Sequence, residues 1–331
     1  FIISTISIPV IAQLWVIPIQ IFYFNNISIY SVFANIMSIP VLMLISFGGF
    51  VSSLLVIIKP FANLICQVFD FVLNPLISLL VNISTFWGNL PHSSLQTTHP
   101  SIYQIFMYYS VLLLMIVLCN KDVREKYLHK ILWALSSLIL LLTISALPFK
   151  NNNLEIMTFD VGNSDAFLIK TPNNEHIMID TGKAAYNKGK SQAEVIILKY
   201  FKDVGIKELN AVIVTHFDND HCGGVNDILK TVNVENLYVN SLDDTSLSAQ
   251  EIYKTAKLRH VNLIEAQNGQ VVYDKNNLKL VNYLSQLQKF DNDKSIVTLL
   301  QYNKFTMLFT GDAGIRALKN ILNKHDLKAN L

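Results

Sequence analysis

Residues 1–24 and 29–58 contain no charged side chain at all. An uncharged apolar run longer than about 18 residues has few stable homes other than a bilayer, where a helix satisfies its own backbone groups. The pattern continues through the first 150 residues, whose only acidic side chains are Asp70, Asp122 and Glu125. The only basic ones there are Lys59, Lys121, Arg124, Lys126, Lys130 and Lys150, leaving 20 basic and 21 acidic residues for positions 151–331. The sequence therefore divides into a membrane region, 1–150, and a water-facing region, 151–331.

Residues 101–119 and 131–149 are two further apolar spans. Between them, KDVREKYLHK reads as a cytoplasmic loop by the positive-inside rule, so the following span leaves the cytoplasm. The second region is then expected outside the inner membrane. In 61–95, Asp70, Pro75 and scattered Asn suggest an interfacial or re-entrant helix with Trp87 as headgroup anchor. Pro9, Pro18, Pro40, Gln13, Gln20 and Asn35 interrupt the earlier spans, and two readings stay open. Such residues line a pathway, or they make ordinary interhelical hydrogen bonds. Phe1 follows no basic signal-peptide region, which leads us to expect a longer membrane domain around this sequence. Cys66, Cys119 and Cys222 form no disulfide framework. Asn151–Asn153 is the one hint of a hinge.

The second region alternates strand and helix signals. LEIMTFDV (154–161), AFLIK (166–170) and HIMID (176–180) read as strands, the last two forming a hairpin. Residues 191–201 have helical spacing, with Gly205 placed to end the helix. LNAVIVT (209–215) is a continuous apolar run of the kind found in a buried central strand. Gly223 and Gly224 open a short helix, and strands at 237–239 and 261–264 flank a helical pattern at 247–259. A second hairpin turns at Asn303-Lys304. Together these describe a layered α/β domain.

At the carboxyl end of the central run lies HFDNDHCGG (216–224), with His216, Asp218, Asp220 and His221 within six positions. In extended backbone 216, 218 and 220 face one side and 221 the other, and a turn gathers all four around one or two cations. Imidazole with carboxylate suits zinc, manganese or iron, the oxygen share leaning to manganese. A polar capping loop is the plain alternative. Position argues against it, because α/β proteins bind ligands beyond the carboxyl ends of their strands.

Three motifs in the second region and one stretch of the membrane region carry a family resemblance. HFDNDHCGG is similar to the metallo-β-lactamase signature with aspartate in place of its second histidine. TFDVGNSDAFLIKTPNNEHIMIDTG and NDKSIVTLLQYNKFTMLFTGDA resemble the flanking motifs of the ComEC-like branch, as does AQLWVIPIQIFYFNNISIYSVFANIMSIPV in the membrane region. The resemblance implies an α-helical transmembrane competence domain followed by an αββα-sandwich metallo-β-lactamase-like domain. It also implies single-stranded DNA transport, other competence machinery as partners, and an extracytoplasmic nuclease using one or two divalent ions, manganese or zinc.

Carried over residue by residue, His216, Asp218, Asp220, His221 and Asp312 become metal ligands, with Asp312 bridging two ions. Asp218 or Asp220 orients or deprotonates the attacking water. Asp180 braces the ligand loop; Asp160, Asn163 and Asp165 sit in the opening motif; Asn292 and Ser295 occupy the strand where other branches place a histidine. Asn163 and Ser164 stand where the family usually has Gln and Gly. The family's His-His-Gly-Ser segment after T-G-D has no counterpart after Asp312 here, which makes this sequence read as a piece lacking both ends. His325 reads as a surface residue, His176 as a strand histidine, His260 as a helix-end cation, and Cys222 as a small apolar residue.

The balanced charge of 151–331 supplies no basic footprint for DNA. Two alternatives therefore stay open: a non-catalytic DNA-guiding channel component, and a metallohydrolase for another phosphodiester. Homo-oligomerisation is open too.

Overall fold

The computed structural model describes residues 2–147, 152–185, 189–286, 291–325, 327, 329 and 330. It separates into two compact units, Phe1–Leu147 and Pro148–Leu331. The expected boundary at 150 and the first residue of the Asn151–Asn153 hinge lie outside the described residues, as does the end of the 131–149 span.

The first unit holds α1 (Ile2–Phe24), α2 (Ser31–Leu55), α3 (Ala62–Gly88), α4 (Ile102–Cys119) and α5 (Lys121–Ala146). Among the described residues, five helical stretches are long and apolar enough to cross a membrane. Residues 62–88 are one uninterrupted helix through Asp70 and Pro75, so the re-entrant break expected in 61–95 does not occur. Two short strands, β1 (Asn26–Ser28) and β2 (Ser94–Gln96), pair antiparallel beyond the helix ends.

The basic cluster also differs from expectation, forming the first turns of α5 instead of a loop. Asn120 is the whole connection. Its Oδ1 accepts the free amides of Asp122 (3.1 Å) and Val123 (3.2 Å), starting the new helix at once. At the other end of α4, Ser101 and Gln104 form a reciprocal capping box.

α1 contains Pro9 and Pro18. Proline at 18 has no N–H to offer the Leu14 carbonyl four residues back. The Tyr108 hydroxyl of α4 donates to that carbonyl instead, at 2.9 Å, and Tyr109 donates to Trp15 O at 2.8 Å. Gln13 and Gln20 bond each other at 3.3 Å along the same helix.

The second unit is an αββα sandwich. Its first sheet runs β3 (Glu155–Thr158), β4 (Phe167–Lys170), β5 (His176–Ile179), β6 (Glu208–Ile213), β7 (Asn233–Val239) and β8 (Asn262–Glu265), in that spatial order. β3–β4–β5 are antiparallel and β5–β6–β7–β8 parallel. The second sheet runs β12 (Phe305–Phe309), β11 (Val297–Tyr302), β10 (Leu278–Tyr283) and β9 (Gln270–Lys275), all antiparallel. The β9–β10 hairpin was not read from the sequence, nor was α10 (Ile315–Lys324), which buries Ala317 and Ile321.

Strand alternation builds two cores from one sheet. Ile177, Ile179 and Ile213 face the second sheet and pack with Leu278, Leu280 and Leu300. Met178, Val212 and Val214 face the other way, toward α6 (Leu198–Val204), α8 (Val225–Thr231) and α9 (Leu247–Leu258), through Phe201, Ile228 and Ile252. A π-helical turn, Ala193–Ile197, precedes α6, and Gly205 ends it in the left-handed region at φ 83°. β6 thus lies buried between both layers and delivers its carboxyl end to the loop that follows.

Candidate metal centre

The backbone leaves β6 at Ile213 and reaches His216, then folds into the helical turn α7 (Asn219–Cys222). The segment is not extended as far as 221. The turn brings the imidazoles of His216 and His221 together, with ring centroids 4.2 Å apart. Gly223 and Gly224 make this possible by close approach. A Cβ on Gly223 would sit 2.0 Å from Ala184 N, and one on Gly224 would sit 2.3 Å from Ala193 Cβ.

Asp180, fully buried, organises both rings. Its Oδ1 accepts from Thr215 N at 2.8 Å, and its Oδ2 accepts from Thr215 Oγ1 at 2.8 Å. Oδ2 also lies 2.8 Å from His221 Nδ1. The Thr215 hydroxyl, having given its proton to Asp180, accepts from His216 Nδ1 at 3.0 Å, with Ser295 Oγ 3.4 Å from the same nitrogen. One carboxylate therefore fixes the tautomer of both histidines, directly for His221 and through Thr215 for His216. Thr181 completes the brace, its N–H and hydroxyl donating to His221 O at 2.8 and 3.1 Å. Gly182 N donates to Asp165 O at 2.9 Å, holding the opening loop against it.

With both Nδ1 atoms engaged, both Nε2 atoms face Asp312. His221 Nε2 lies 3.2 Å from Asp312 Oδ1, and His216 Nε2 lies 3.9 Å from Asp312 Oδ2. His216 is 2% exposed, and its Nε2 has no hydrogen-bond partner. A buried imidazole nitrogen with a lone pair and no donor is costly unless a ligand meets it. Ligand atoms of His216, His221 and Asp312 all lie within 4.8 Å of one another, as do those of Asp165, Asp180 and His221. This donor set fits a divalent cation.

Burial works against a charged His221. The Asp180 hydrogen bond and the charges of Asp180, Asp312 and Asp165 outweigh it and push the ring up to about 9. Burial raises the half-buried Asp165, against the attraction of His221. A cation seated on His221 Nε2 displaces a proton.

The remaining expected residues are placed as follows. Asp218 is half exposed, with Oδ2 3.5 Å from His216 Nε2. Asp220 lies in α7, half-buried, outside both groups of converging ligand atoms. Asp160 and Asn163 are exposed on the opening loop. Asn292 is exposed in the 3-10 turn Asp291–Lys294 and Ser295 precedes β11, so neither lies in the strand expected for it, Asn292 O accepting from Ser295 N at 3.1 Å. Cys222 is buried, its thiol pushed up to about 12 by burial and donating to Phe217 O. His325 is half-buried against the Tyr283 ring rather than free on the surface. Thr215, Thr181 and Gly311 were missed by sequence reasoning. Gly311, at φ 49°, brings the T-G-D turn so close that a Cβ would meet Thr215 at 2.9 Å.

A sandwich of mixed and antiparallel sheets, with a histidine–aspartate cluster after the central strand, defines a metallo-β-lactamase-type domain. Residues 159–274 match the metallo-beta-lactamase superfamily model. Residues 1–122 match the family model of the competence protein. The chain is thus similar to the competence protein over 1–122 and to the metallo-β-lactamase superfamily over 159–274.

It is 21% identical over 329 residues to ComE operon protein 3 of Bacillus subtilis, covering 96% of this chain and 42% of that protein. It is 30% identical over 178 residues to Recombination protein 2 of Haemophilus influenzae, covering 53% of this chain and 21% of that protein. The chain therefore spans less than half the length of these relatives. Among solved structures, a metallo-β-lactamase from Hirschia baltica aligns at TM-score 0.31 and 17% identity, over 53% of this chain and 82% of its own. The diiron β-hydroxylase CmlA from Streptomyces venezuelae aligns at TM-score 0.31 and 14% identity, over 48% and 30%. The fold itself implies divalent-metal binding.

Proposed function

We propose that this chain belongs to a DNA-uptake machine of natural competence. In this reading the membrane unit passes a single strand, and the second unit, outside the inner membrane, hydrolyses phosphodiester bonds of the other strand. The observation that carries it is His216 Nε2, buried without a partner beside His221 and Asp312, in a chain whose other unit matches the competence family. Membrane lipid and other competence proteins are the partners this reading requires, with self-association as a further possibility for test.

His216, His221 and Asp312 would hold the cation, with Asp218 and Asp220 as further ligands and Asp165 and Asp180 behind them. Manganese or zinc is the ion proposed. When bound, it supplies positive charge for the scissile phosphate and lowers the pKa of water. The chain's own part is orientation. Asp180 keeps both Nε2 lone pairs aimed inward, and Asp218 Oδ2, open to solvent at the mouth, takes the proton of the attacking water. Water oxygen bonds phosphorus, the ester P–O bond breaks, and the leaving oxygen takes up a proton from solvent.

The test uses the full chain in detergent with labelled single- and double-stranded oligonucleotides. Cleavage that needs manganese or zinc, stops with chelator, and falls at least 100-fold in His216→Ala and Asp312→Ala is the expected result. Metal binding with DNA binding but no cleavage would replace this by the DNA-guiding reading. The balanced charge of 151–331 favours one second reading, a metallohydrolase of another phosphodiester. Turnover of a cell-envelope phosphodiester, with DNA untouched, would establish it.

A further inference from the structure

A cleft of about 460 Å³ opens directly off the metal centre, lined in part by His216, Asp218, Asn240, Asp243, Asp244 and Lys294. That volume lies in the range of small-ligand sites, roughly 300–1,000 Å³. It shares with the metal centre the buried His216 and the half-exposed Asp218, whose Oδ2 lies 3.5 Å from His216 Nε2.

Its chemistry is unlike that of a phosphate groove. Among the described residues, three carboxylates, Asp218, Asp243 and Asp244, line it together with the cation Lys294. Ionised carboxylates only accept hydrogen bonds, and they repel the phosphates of a strand. Asn240 sits on the Lys294 side of the wall, its Nδ2 donating to Lys294 O at 3.4 Å.

The wall is also braced before any ligand arrives. Asp244 Oδ1 accepts from Ser246 N at 2.8 Å, Ser241 Oγ accepts from Asp243 N at 3.1 Å, and Tyr253 OH donates to Ser241 O at 2.7 Å. Preorganised acceptors reward a ligand that brings donors.

We infer that this cleft receives the nucleobase next to the bound phosphate and selects bases carrying an exocyclic amine. Adenine N6 and cytosine N4 are donors, whereas thymine presents O4, an acceptor, at the matching position. The inference rests on the phosphodiesterase reading and names part of its substrate.

The experiment compares dA, dC and dT homo-oligomers and a fully abasic oligomer on the full chain, with manganese or zinc. A base that can donate to the acidic wall is favoured over one that cannot, so dA and dC should exceed dT in kcat/KM by about tenfold. In Asp243→Ala/Asp244→Ala that ratio should fall to near one; as a ratio within one protein, it is insensitive to a general loss of activity. Equal rates on all three homo-oligomers in the unaltered chain would overturn the inference while leaving the phosphodiesterase reading intact. So would an unchanged ratio in a folded double variant. If no oligomer is cleaved, the abasic one included, the phosphodiesterase reading fails. Fluorescence anisotropy then decides the cleft alone: the same order in Kd upholds it, and equal Kd values overturn it.

Discussion

Asp180 occupies a position that almost any other residue would find difficult. Its φ is 54°, a left-handed conformation that aspartate tolerates better than most side chains. The conformation turns the chain out of β5, so that Asp180 N bonds Ile213 O while the carboxylate reaches Thr215 and His221. Asparagine there keeps the size but replaces one acceptor oxygen by a donor, so either Thr215 N or the Thr215 hydroxyl and His221 Nδ1 lose their acceptor. Asp180→Asn is therefore expected to weaken metal binding about 10–100-fold, measured by calorimetric titration of the full chain. An unchanged affinity would mean that the histidines are oriented by packing alone. Asp180, His216, His221 and Asp312 were all nameable from the sequence, because each sits in a short recognisable string. Thr215 and Thr181 were not. Their roles arise from which backbone amides meet across the β5 and β6 ends, and no spacing rule encodes that.

Helix α1 shows how an element's weakness is made good by its neighbour. The Leu14 carbonyl, left without an amide by Pro18, is met by Tyr108. Intramembrane side-chain hydrogen bonds average about 0.6 kcal/mol and reach about 1.7. Tyr108→Phe should cost an amount in that range, and clearly less in a Pro18→Ala background, where alanine restores an amide to the Leu14 carbonyl. Detergent-unfolding midpoints of the four proteins in this cycle give the coupling, and equal costs in both backgrounds would show the tyrosine bond to be independent of Pro18. Gln13 and Gln20 of this helix bond each other within α1, an intrahelical bond that neither of the two readings of these residues anticipated.

Most elements were legible from apolar spacing, but two kinds were not. KDVREKYLHK carries a strong charge signal that masked its helical register, visible only as the Lys121–Glu125 pair at i, i+4. The β9–β10 turn was encoded all along in Asn276-Asn277, both at positive φ, 50° and 61°. Such a pair is a hairpin signal, but charged and polar residues on either side obscured the alternation.

At the scale of the whole molecule, the charge cluster at the start of α5 argues for one orientation in the bilayer. With Lys304→Cys, on the exposed β11–β12 turn, and Cys66 and Cys119 changed to serine, a membrane-impermeant maleimide is expected to label intact spheroplasts. Labelling only after permeabilisation would place the second unit in the cytoplasm. The division into an apolar and a water-facing half was plain from charge alone, whereas the meeting of the two sheets at the metal cluster was not. That meeting has a consequence for biogenesis. His216 and His221 follow the central strand of the first sheet, while Asp312 follows the last strand of the second. During synthesis the histidines emerge well before their acidic partner, and the second sheet must dock before the three converge. A half-made chain therefore lacks the site formed by His216, His221 and Asp312, which is offered to a cation only by the finished fold.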